Sequence, residues 1–113
     1  MQPAERRAVT REEIRERDHG HCARCGAADN LHVHHRWLRS QGGTDSWENQ
    51  VTLCAACHDW AHHHPGEALE QGWLVASWDD PADIPVPHWL WPAGPVKLLP
   101  GGMFDISGWS QEA

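Results

Sequence analysis

The sequence contains no Tyr, one Phe and a single Lys, and eight Trp supply almost all of its aromatic surface. No apolar run approaches the roughly 20 residues that a membrane-spanning helix needs, which excludes an integral membrane protein of the helical type. The N-terminal residues are polar and charged, without the apolar run of a secretory leader. We therefore expect a soluble protein of the cytoplasm.

The 113-residue chain has room for one domain, but its hydrophobic core should be thin. A small region of this kind needs reinforcement by a bound metal or by disulfides. The four Cys can provide either form of reinforcement. Their spacing indicates whether they bind a metal ion or form disulfides.

The cysteines form two Cys-x-x-Cys pairs, Cys22/Cys25 and Cys54/Cys57. This spacing places two thiolates on one turn, at about 2.3 Å from a shared zinc ion, and two such pairs complete a tetrahedral shell. Two disulfides are the alternative, but a reducing cytoplasm disfavours them. Because four thiolates leave no open position for a substrate, the sequence predicts a structural Zn²⁺ site.

Charge is distributed unevenly along the chain, whose formal net charge is −7. Residues 1–39 carry eight basic residues, all Arg, and six acidic ones, whereas residues 40–113 carry one Lys and ten acidic ones. The acidic total argues against strong nonspecific binding of phosphates, but it does not exclude a local basic face. Two interpretations of the N-terminal helix remain open. It either presents arginines to phosphates or is a solvent-exposed helix with Glu–Arg pairs. The arginines are Arg6, Arg7, Arg11, Arg15 and Arg17.

Local patterns predict a helix, a strand, a loop, a second strand and a second helix, in that order. Thr10 and Glu13 have the spacing of a capping box, which predicts the start of the first helix. Alternating polarity in Leu-His-Val-His-His predicts a half-buried strand. Residues 37–49 contain Gly and Asp and show no hydrophobic periodicity, which indicates a loop. Pro65-Gly66 is expected to end the second helix. The predicted ranges are about 10–18, 31–35, 37–49, 51–53 and 55–63.

Residues 65–113 differ in composition, since they contain seven of the eight Pro and five of the eight Trp. Short strands separated by Pro and Gly turns are predicted at 74–77, 88–91, 96–99 and 103–106, with a hairpin tip at 92–95. We find no catalytic pattern in this region and expect it to pack on the core or on a partner.

Several histidines have the spacing of a second metal site. His58 and His62 are four positions apart, so on a helix both face one side and can bind one ion, with His34 as a third ligand. The adjacent His35 binds no metal and is a suitable general base, because imidazole titrates near neutral pH. Consecutive strand residues point to opposite faces, so His34 and His35 share a site only if the strand ends or twists there. His63 is an alternative to His62 if the helix is irregular, and no role is assigned to His19, His21, His32 and His88.

The chain resembles the HNH endonuclease family in its zinc-knuckle-bearing form. The resemblance covers roughly residues 20–65 and rests on an ordered set of residues: His34-His35, Asn49, Cys54-x-x-Cys57-His58 and His62. It implies a ββα-metal, treble-clef-like core, which agrees with the predicted order of strands and helix. We therefore expect a small α+β protein with a four-cysteine structural zinc, a short N-terminal helix and a Trp/Pro-rich C-terminal β extension.

The resemblance also implies a metal-dependent endonuclease that hydrolyses DNA phosphodiester bonds and leaves 5′-phosphate and 3′-hydroxyl ends. His34, His58 and His62 would then bind the catalytic divalent cation, which is Mg²⁺, Mn²⁺, Ni²⁺ or Zn²⁺. His35 would be the general base, and Asn49 would brace the loop and orient that base.

After the second helix come Pro65-Gly66-Glu67-Ala68, Gly72-Trp73, Asp80-Pro81 and Pro85-Val86. This stretch has a looser resemblance to HNH proteins of actinobacterial phages. By analogy it implies a role beside the phage terminase or portal during genome packaging, in the cytoplasm of the bacterial host. Arg36 departs from the family pattern, which more often has an aliphatic residue there. Its side chain is expected either to reach a phosphate or to face solvent.

These interpretations divide the chain into an N-terminal helical segment (1–19), an HNH nuclease core (20–65) and a C-terminal extension (66–113). A second interpretation stays open, namely a noncatalytic zinc-knuckle module that binds nucleic acid or a protein partner. Both contain the four-cysteine zinc, and they differ in the role of His35 and in the second ion.

Overall fold

The computed structural model describes residues 8–107. Within that range the helices and strands are α1 (Arg11–Arg17), β1 (Leu31–His35), β2 (Gln50–Cys54), α2 (Ala55–His63), α3 (Pro65–Gln71), β3 (Lys97–Leu99) and β4 (Met103–Asp105). Single turns of 3-10 helix lie at Arg39–Gln41, Pro81–Asp83 and Pro100–Gly102. None of the described helices is long and apolar enough to cross a membrane.

The first helix begins with the predicted capping box. The Thr10 hydroxyl accepts a hydrogen bond from the Glu13 amide at 3.1 Å, and the Glu13 carboxylate accepts one from the Thr10 amide at 2.9 Å. These two bonds satisfy amides that have no partner within the helix. The helix ends where the backbone turns left-handed at His19 and Gly20, and the Gly20 amide donates to the Arg15 carbonyl.

The centre of the molecule is a two-stranded antiparallel sheet followed by a helix. β1 and β2 pair with Leu31 opposite Cys54 and His35 opposite Gln50. All five residues of β2 are buried, because this strand contacts α1 and α2 as well as its partner β1. α2 starts directly after β2, with Cys54 as its N-cap. The predicted ββα-metal core of a small α+β fold is thus confirmed.

Pro65 separates two helices instead of ending the helical region. α2 stops at His63 as predicted, but Pro65 is the first residue of α3. Proline is favourable at this first position because its missing amide would have no partner there and its φ is already helical. The prediction that the second helix stops before Pro65-Gly66 is therefore confirmed, and α3 is a helix that the sequence analysis did not predict.

The C-terminal region contains fewer strands than predicted. β3 and β4 form an antiparallel hairpin around a Pro-Gly-Gly turn, near two of the predicted strands. The strands predicted at 74–77 and 88–91 are absent from the described structure. At 88–91 the His88 ring accepts the Leu90 amide, which closes a turn that competes with sheet pairing.

One apolar core joins this region to the ββα unit. Trp73, Val86, Val96 and Leu98 are fully buried in the same cluster as Val51, Leu53 and Ala61. Trp89 also covers the first cysteine pair, because its amide donates to the Ala23 carbonyl at 2.6 Å. A Cβ at Gly26 would lie 2.3 Å from the Trp89 indole nitrogen, so the knuckle accommodates this contact only with glycine.

Candidate metal centres and active site

The four cysteines converge on one point between the two chain turns that carry them. Their sulfur atoms all lie within 4.8 Å of one another. In each pair the amide of the second cysteine points at the sulfur of the first, at 3.4 Å for Cys25 and 3.5 Å for Cys57. This is the arrangement that a tetrahedral zinc ion requires, and the donor set fits Zn²⁺.

The protonation of these thiols also points to a cation. Burial raises the pKa of the Cys57 thiol to about 12, even though Arg24 donates to its sulfur at 3.3 Å. Burial likewise raises the pKa of Cys25. For Cys54 the hydrogen bonds to its sulfur outweigh burial and lower the pKa. A bound divalent ion would deprotonate all four ligands, as a tetrahedral thiolate site requires.

Three histidines from β1 and α2 form a second cluster. His34 comes from β1, and His58 and His62 come from successive turns of α2. One ring nitrogen of each lies within 4.8 Å of the others. The ring centroids of His58 and His62 are 4.6 Å apart, and those of His34 and His58 are 5.3 Å apart. His63 does not join the cluster, because its Nδ1 contacts the carbonyl of Asp59 at 2.9 Å.

His34 is prepared to bind a metal through one particular atom. Its side chain is buried, and its Nε2 lies 2.7 Å from the carbonyl oxygen of Trp73. A carbonyl can only accept, so Nε2 carries the proton and Nδ1 has the free lone pair. Nδ1 is itself buried and has no hydrogen-bond partner in residues 8–107. An orphaned acceptor beside two other imidazoles fits a metal ligand whose second nitrogen is held by the backbone.

The environment of His34 also keeps it neutral. Burial lowers its pKa to about 4, and the nearby rings of His58 and His62 contribute to the decrease. Burial also lowers the pKa of His58. Neutral imidazole is the form that binds metal ions, so both shifts favour ligation.

His35 is the last residue of β1, so the strand ends directly after the two histidines, and His35 lies close enough to His34 to add to the effect of burial in lowering the pKa of His34. Its Nε2 donates to the carboxylate of Asp45 at 2.7 Å, and Arg39 contacts the same oxygen at 3.0 Å. The hydrogen bond from His35 lowers the pKa of Asp45. Sequence reasoning missed Asp45; its only signal was an acidic residue in the Gly-containing loop ten positions after His35.

Asn49 is buried and braces the loop between the two strands. Its side-chain amide donates to the carbonyls of Trp37 and Thr44, and its oxygen accepts from the Trp37 amide at 2.6 Å. Among the described residues its side chain makes no hydrogen bond to the His35 ring, which contacts Asp45 instead. Asn49 therefore shapes the loop that carries Asp45.

Two arginines lie where the sequence did not predict them. Arg36 neither faces solvent nor is free to reach a phosphate, because it is fully buried against backbone carbonyls. Arg17, placed on the phosphate-facing side of α1, is instead buried against Asp18 and the carbonyl of Gln50. Arg6 and Arg7 lie outside the described residues.

Two histidines without an assigned role have partners. The His32 ring stacks on His58, with centroids 5.9 Å apart, at the exposed edge of the histidine cluster. His88 donates to Asp18 at 2.8 Å in the interior. Alternation along β1 places His32 on the face of His34, a signal that was available in the sequence.

Comparison with known proteins agrees with this geometry. The family model described as HNH endonuclease matches residues 22–64, a range that contains both clusters. No curated protein and no solved structure matches the chain. Residues 22–64 therefore match an HNH endonuclease domain, and the cysteine cluster is consistent with the zinc-binding type of that family.

Proposed function

We propose that this chain is a metal-dependent endonuclease that hydrolyses DNA phosphodiester bonds with His35 as the general base. The HNH domain indicates nuclease activity. Two observations on His34 carry the proposal. Its buried Nδ1 has no hydrogen-bond partner in residues 8–107, and one of its ring nitrogens lies within 4.8 Å of nitrogens of His58 and His62. A noncatalytic module would have no use for this arrangement.

The three imidazoles suit a transition metal better than magnesium. No carboxylate from residues 8–107 belongs to the cluster, and Mg²⁺ prefers oxygen ligands in octahedral geometry. Imidazole nitrogens favour Ni²⁺ or Zn²⁺. When bound, such an ion supplies positive charge that stabilises the phosphate and the leaving oxygen.

His35 provides the proton transfer. Its Nε2–H stays with Asp45, so Nδ1 accepts a proton from a water molecule. The oxygen of that water attacks phosphorus, the bond from phosphorus to O3′ breaks, and the electron pair stays on O3′. A proton from solvent water converts that oxygen into a 3′-hydroxyl end, and the attacked phosphorus remains as a 5′-phosphate. The Asp45 carboxylate stabilises the imidazolium that forms, since its lowered pKa keeps it ionised.

Two arginines flank His35 and support a polyanionic substrate. Arg39 contacts Asp45, and 67% of its side chain is exposed. Arg11 is exposed at the start of α1, whose entry is tied to the loop by a bond from the Val9 amide to the Asp45 carbonyl. Their charges lie close enough to lower the pKa of Asp45. This local basic face offsets the acidity of the whole chain. The role beside a phage terminase or portal stays a prediction by analogy.

Cleavage of supercoiled plasmid tests the proposal. Zinc-loaded protein is incubated with Ni²⁺, Zn²⁺, Mn²⁺ or Mg²⁺, beside the variants His35→Ala, His62→Ala and His63→Ala. We expect nicking with Ni²⁺ or Zn²⁺, its loss in His35→Ala and His62→Ala, and its retention in His63→Ala, which removes a ring outside the cluster. Absence of cleavage with every metal, in a protein that still binds DNA, would favour the noncatalytic module.

A further inference from the structure

We infer that Arg36 is a positioning residue for the histidine cluster and that residues 72–84, counted as extension by the sequence, form part of the active site. The inference rests on the proposed metal site at His34. It concerns the link between that site and the C-terminal region, for which the sequence suggested no function.

His34 and Arg36 both contact the segment that follows α3. His34 lies in β1, and Arg36 follows the strand directly, with its amide donating to the Asn49 carbonyl at 2.8 Å. Their side chains contact consecutive carbonyls: His34 Nε2 lies 2.7 Å from Trp73 O, and Arg36 Nε lies 2.8 Å from Gly72 O. The backbone of Arg36 holds the same segment, since its carbonyl accepts the Val75 amide at 2.9 Å. Arg36 therefore determines where the Trp73 carbonyl lies.

The Arg36 guanidinium joins three parts of the chain. Besides Gly72 it donates to the carbonyl of Glu48 in the loop that carries Asn49, at 2.8 Å, and to that of Pro81 at 3.0 Å. Its second terminal nitrogen donates to Ile84 O. A planar guanidinium with five donors can satisfy four carbonyls at once, whereas an ammonium with three donors cannot. Lysine would leave part of this arrangement without a donor.

Gly72 allows the backbone turn that brings its own carbonyl to Arg36 and the Trp73 carbonyl to His34. Its φ is +90°, and a Cβ there would lie 2.2 Å from the Pro85 carbonyl oxygen. The chain thus turns tightly after α3 and presents two successive carbonyls to β1. A side chain at this position would displace both carbonyls, so glycine and Arg36 serve one arrangement.

The position of the Trp73 carbonyl determines which ring nitrogen of His34 carries the proton. While the Trp73 carbonyl is held in place, the proton stays on Nε2 and the lone pair stays on Nδ1, which is buried without a hydrogen-bond partner in residues 8–107. If that carbonyl moves, the ring can exchange tautomers or rotate, and its ligand atom is no longer fixed. Loss of such an outer hydrogen bond typically lowers metal affinity by roughly 10- to 100-fold.

The experiment compares zinc-loaded wild type with Arg36→Lys, using Arg15→Lys as the matched control on α1. Long-range ¹H–¹⁵N spectra of histidine-labelled protein report which nitrogen of His34 is protonated, and calorimetry with Ni²⁺ reports the affinity of the second site. We expect a pure Nε2–H tautomer in wild type and in Arg15→Lys. In Arg36→Lys we expect mixed tautomers and Ni²⁺ affinity lower by about 10-fold or more, with one zinc per chain retained.

An Nδ1–H tautomer in the wild type would overturn the inference, as would wild-type tautomer and affinity in Arg36→Lys. Should Arg36→Lys lose its zinc, Arg36→Gln, which keeps two donors without the charge, replaces it under the same criteria. Neither measurement requires cleavage. A chain that shows these changes but cuts no DNA would overturn the proposed function and leave the role of Arg36 standing.

Discussion

The carboxylate of Asp18 lies 2.8 Å from Nε2 of His88, although the two residues are 70 positions apart and both side chains are fully buried. Asp18 also accepts from Arg17 and from the amide of Thr52 at 2.9 Å. One carboxylate thus joins the end of α1, the middle of β2 and the C-terminal region. His88 acts as a neutral donor here, because its Nδ1 accepts the Leu90 amide.

This network keeps Asp18 ionised in the interior. Burial raises its pKa, but the hydrogen bond from His88 and the charge and hydrogen bonds of Arg17 outweigh that effect and lower it to about 2. Because the pKa is depressed in the folded protein, the stabilisation is complete above the unfolded value near 4 and is lost as the pH falls through 2.

We predict that Asp18→Asn costs more stability than His88→Ala. Asparagine leaves the buried charge of Arg17 without its counter-ion, which should cost about 3–5 kcal/mol in the free energy of unfolding. Alanine at His88 leaves that ion pair intact and should cost about 1–3 kcal/mol. Urea unfolding of the zinc-loaded variants at pH 7 measures both, with exposed Asp29→Asn as a control expected within about 0.5 kcal/mol of wild type. The reverse order would contradict the assignment of Asp18 as the centre of this network.

Removal of the zinc should unfold the ββα core. The thiols hold the start of α2 against the turn before β1, and the apolar core is small, so metal binding and folding are expected to be coupled. Chelation, or the substitution Cys57→Ser, should abolish stoichiometric zinc and the native circular dichroism together. His62→Ala is the control, because it removes a ligand of the other cluster and should keep both. Native spectra in metal-free protein would contradict this coupling.

Asp45→Asn should slow plasmid cleavage without weakening metal binding. The amide cannot stabilise the imidazolium of His35 as a carboxylate does, so we expect a decrease of roughly 10-fold or more, against 10²- to 10⁴-fold for His35→Ala. Ni²⁺ affinity should be unchanged in both, since neither side chain belongs to the cluster. Exposed Asp79→Asn provides the control. Equal rates for Asp45→Asn and wild type would mean that the carboxylate does not act on the base.

His34 should stay neutral when the solution is acidified. Its pKa of about 4 lies below the ordinary value of 6.5, so protonation favours the unfolded chain as the pH falls below 6.5. From pH 7 to pH 5 this should reduce the free energy of unfolding of zinc-loaded protein without a second metal by about 2 kcal/mol. Histidine ¹⁵N shifts should show an unprotonated His34 at pH 5. A ring that titrates near pH 6.5 would contradict the burial argument.

The sequence by itself determined the features that depend on short spacings. Two Cys-x-x-Cys pairs defined the zinc ligands, because this spacing alone brings both thiolates to one turn. The separation of His58 and His62 matched one face of a helix, and Thr10 with Glu13 marked the start of α1. Each of these signals lies within a few residues, where backbone geometry relates position to direction.

Only the tertiary structure decided how the site is supported. The partners of Arg36 and the outer partner of His34 are backbone carbonyls. Every residue has a backbone carbonyl, so residue type cannot identify these partners in the sequence. Asp45 and His88 became recognisable only when folding brought them to His35 and Asp18. Such contacts depend on how the C-terminal region packs against β1 and β2, so they arise from the path of the whole chain and cannot be inferred from local pattern.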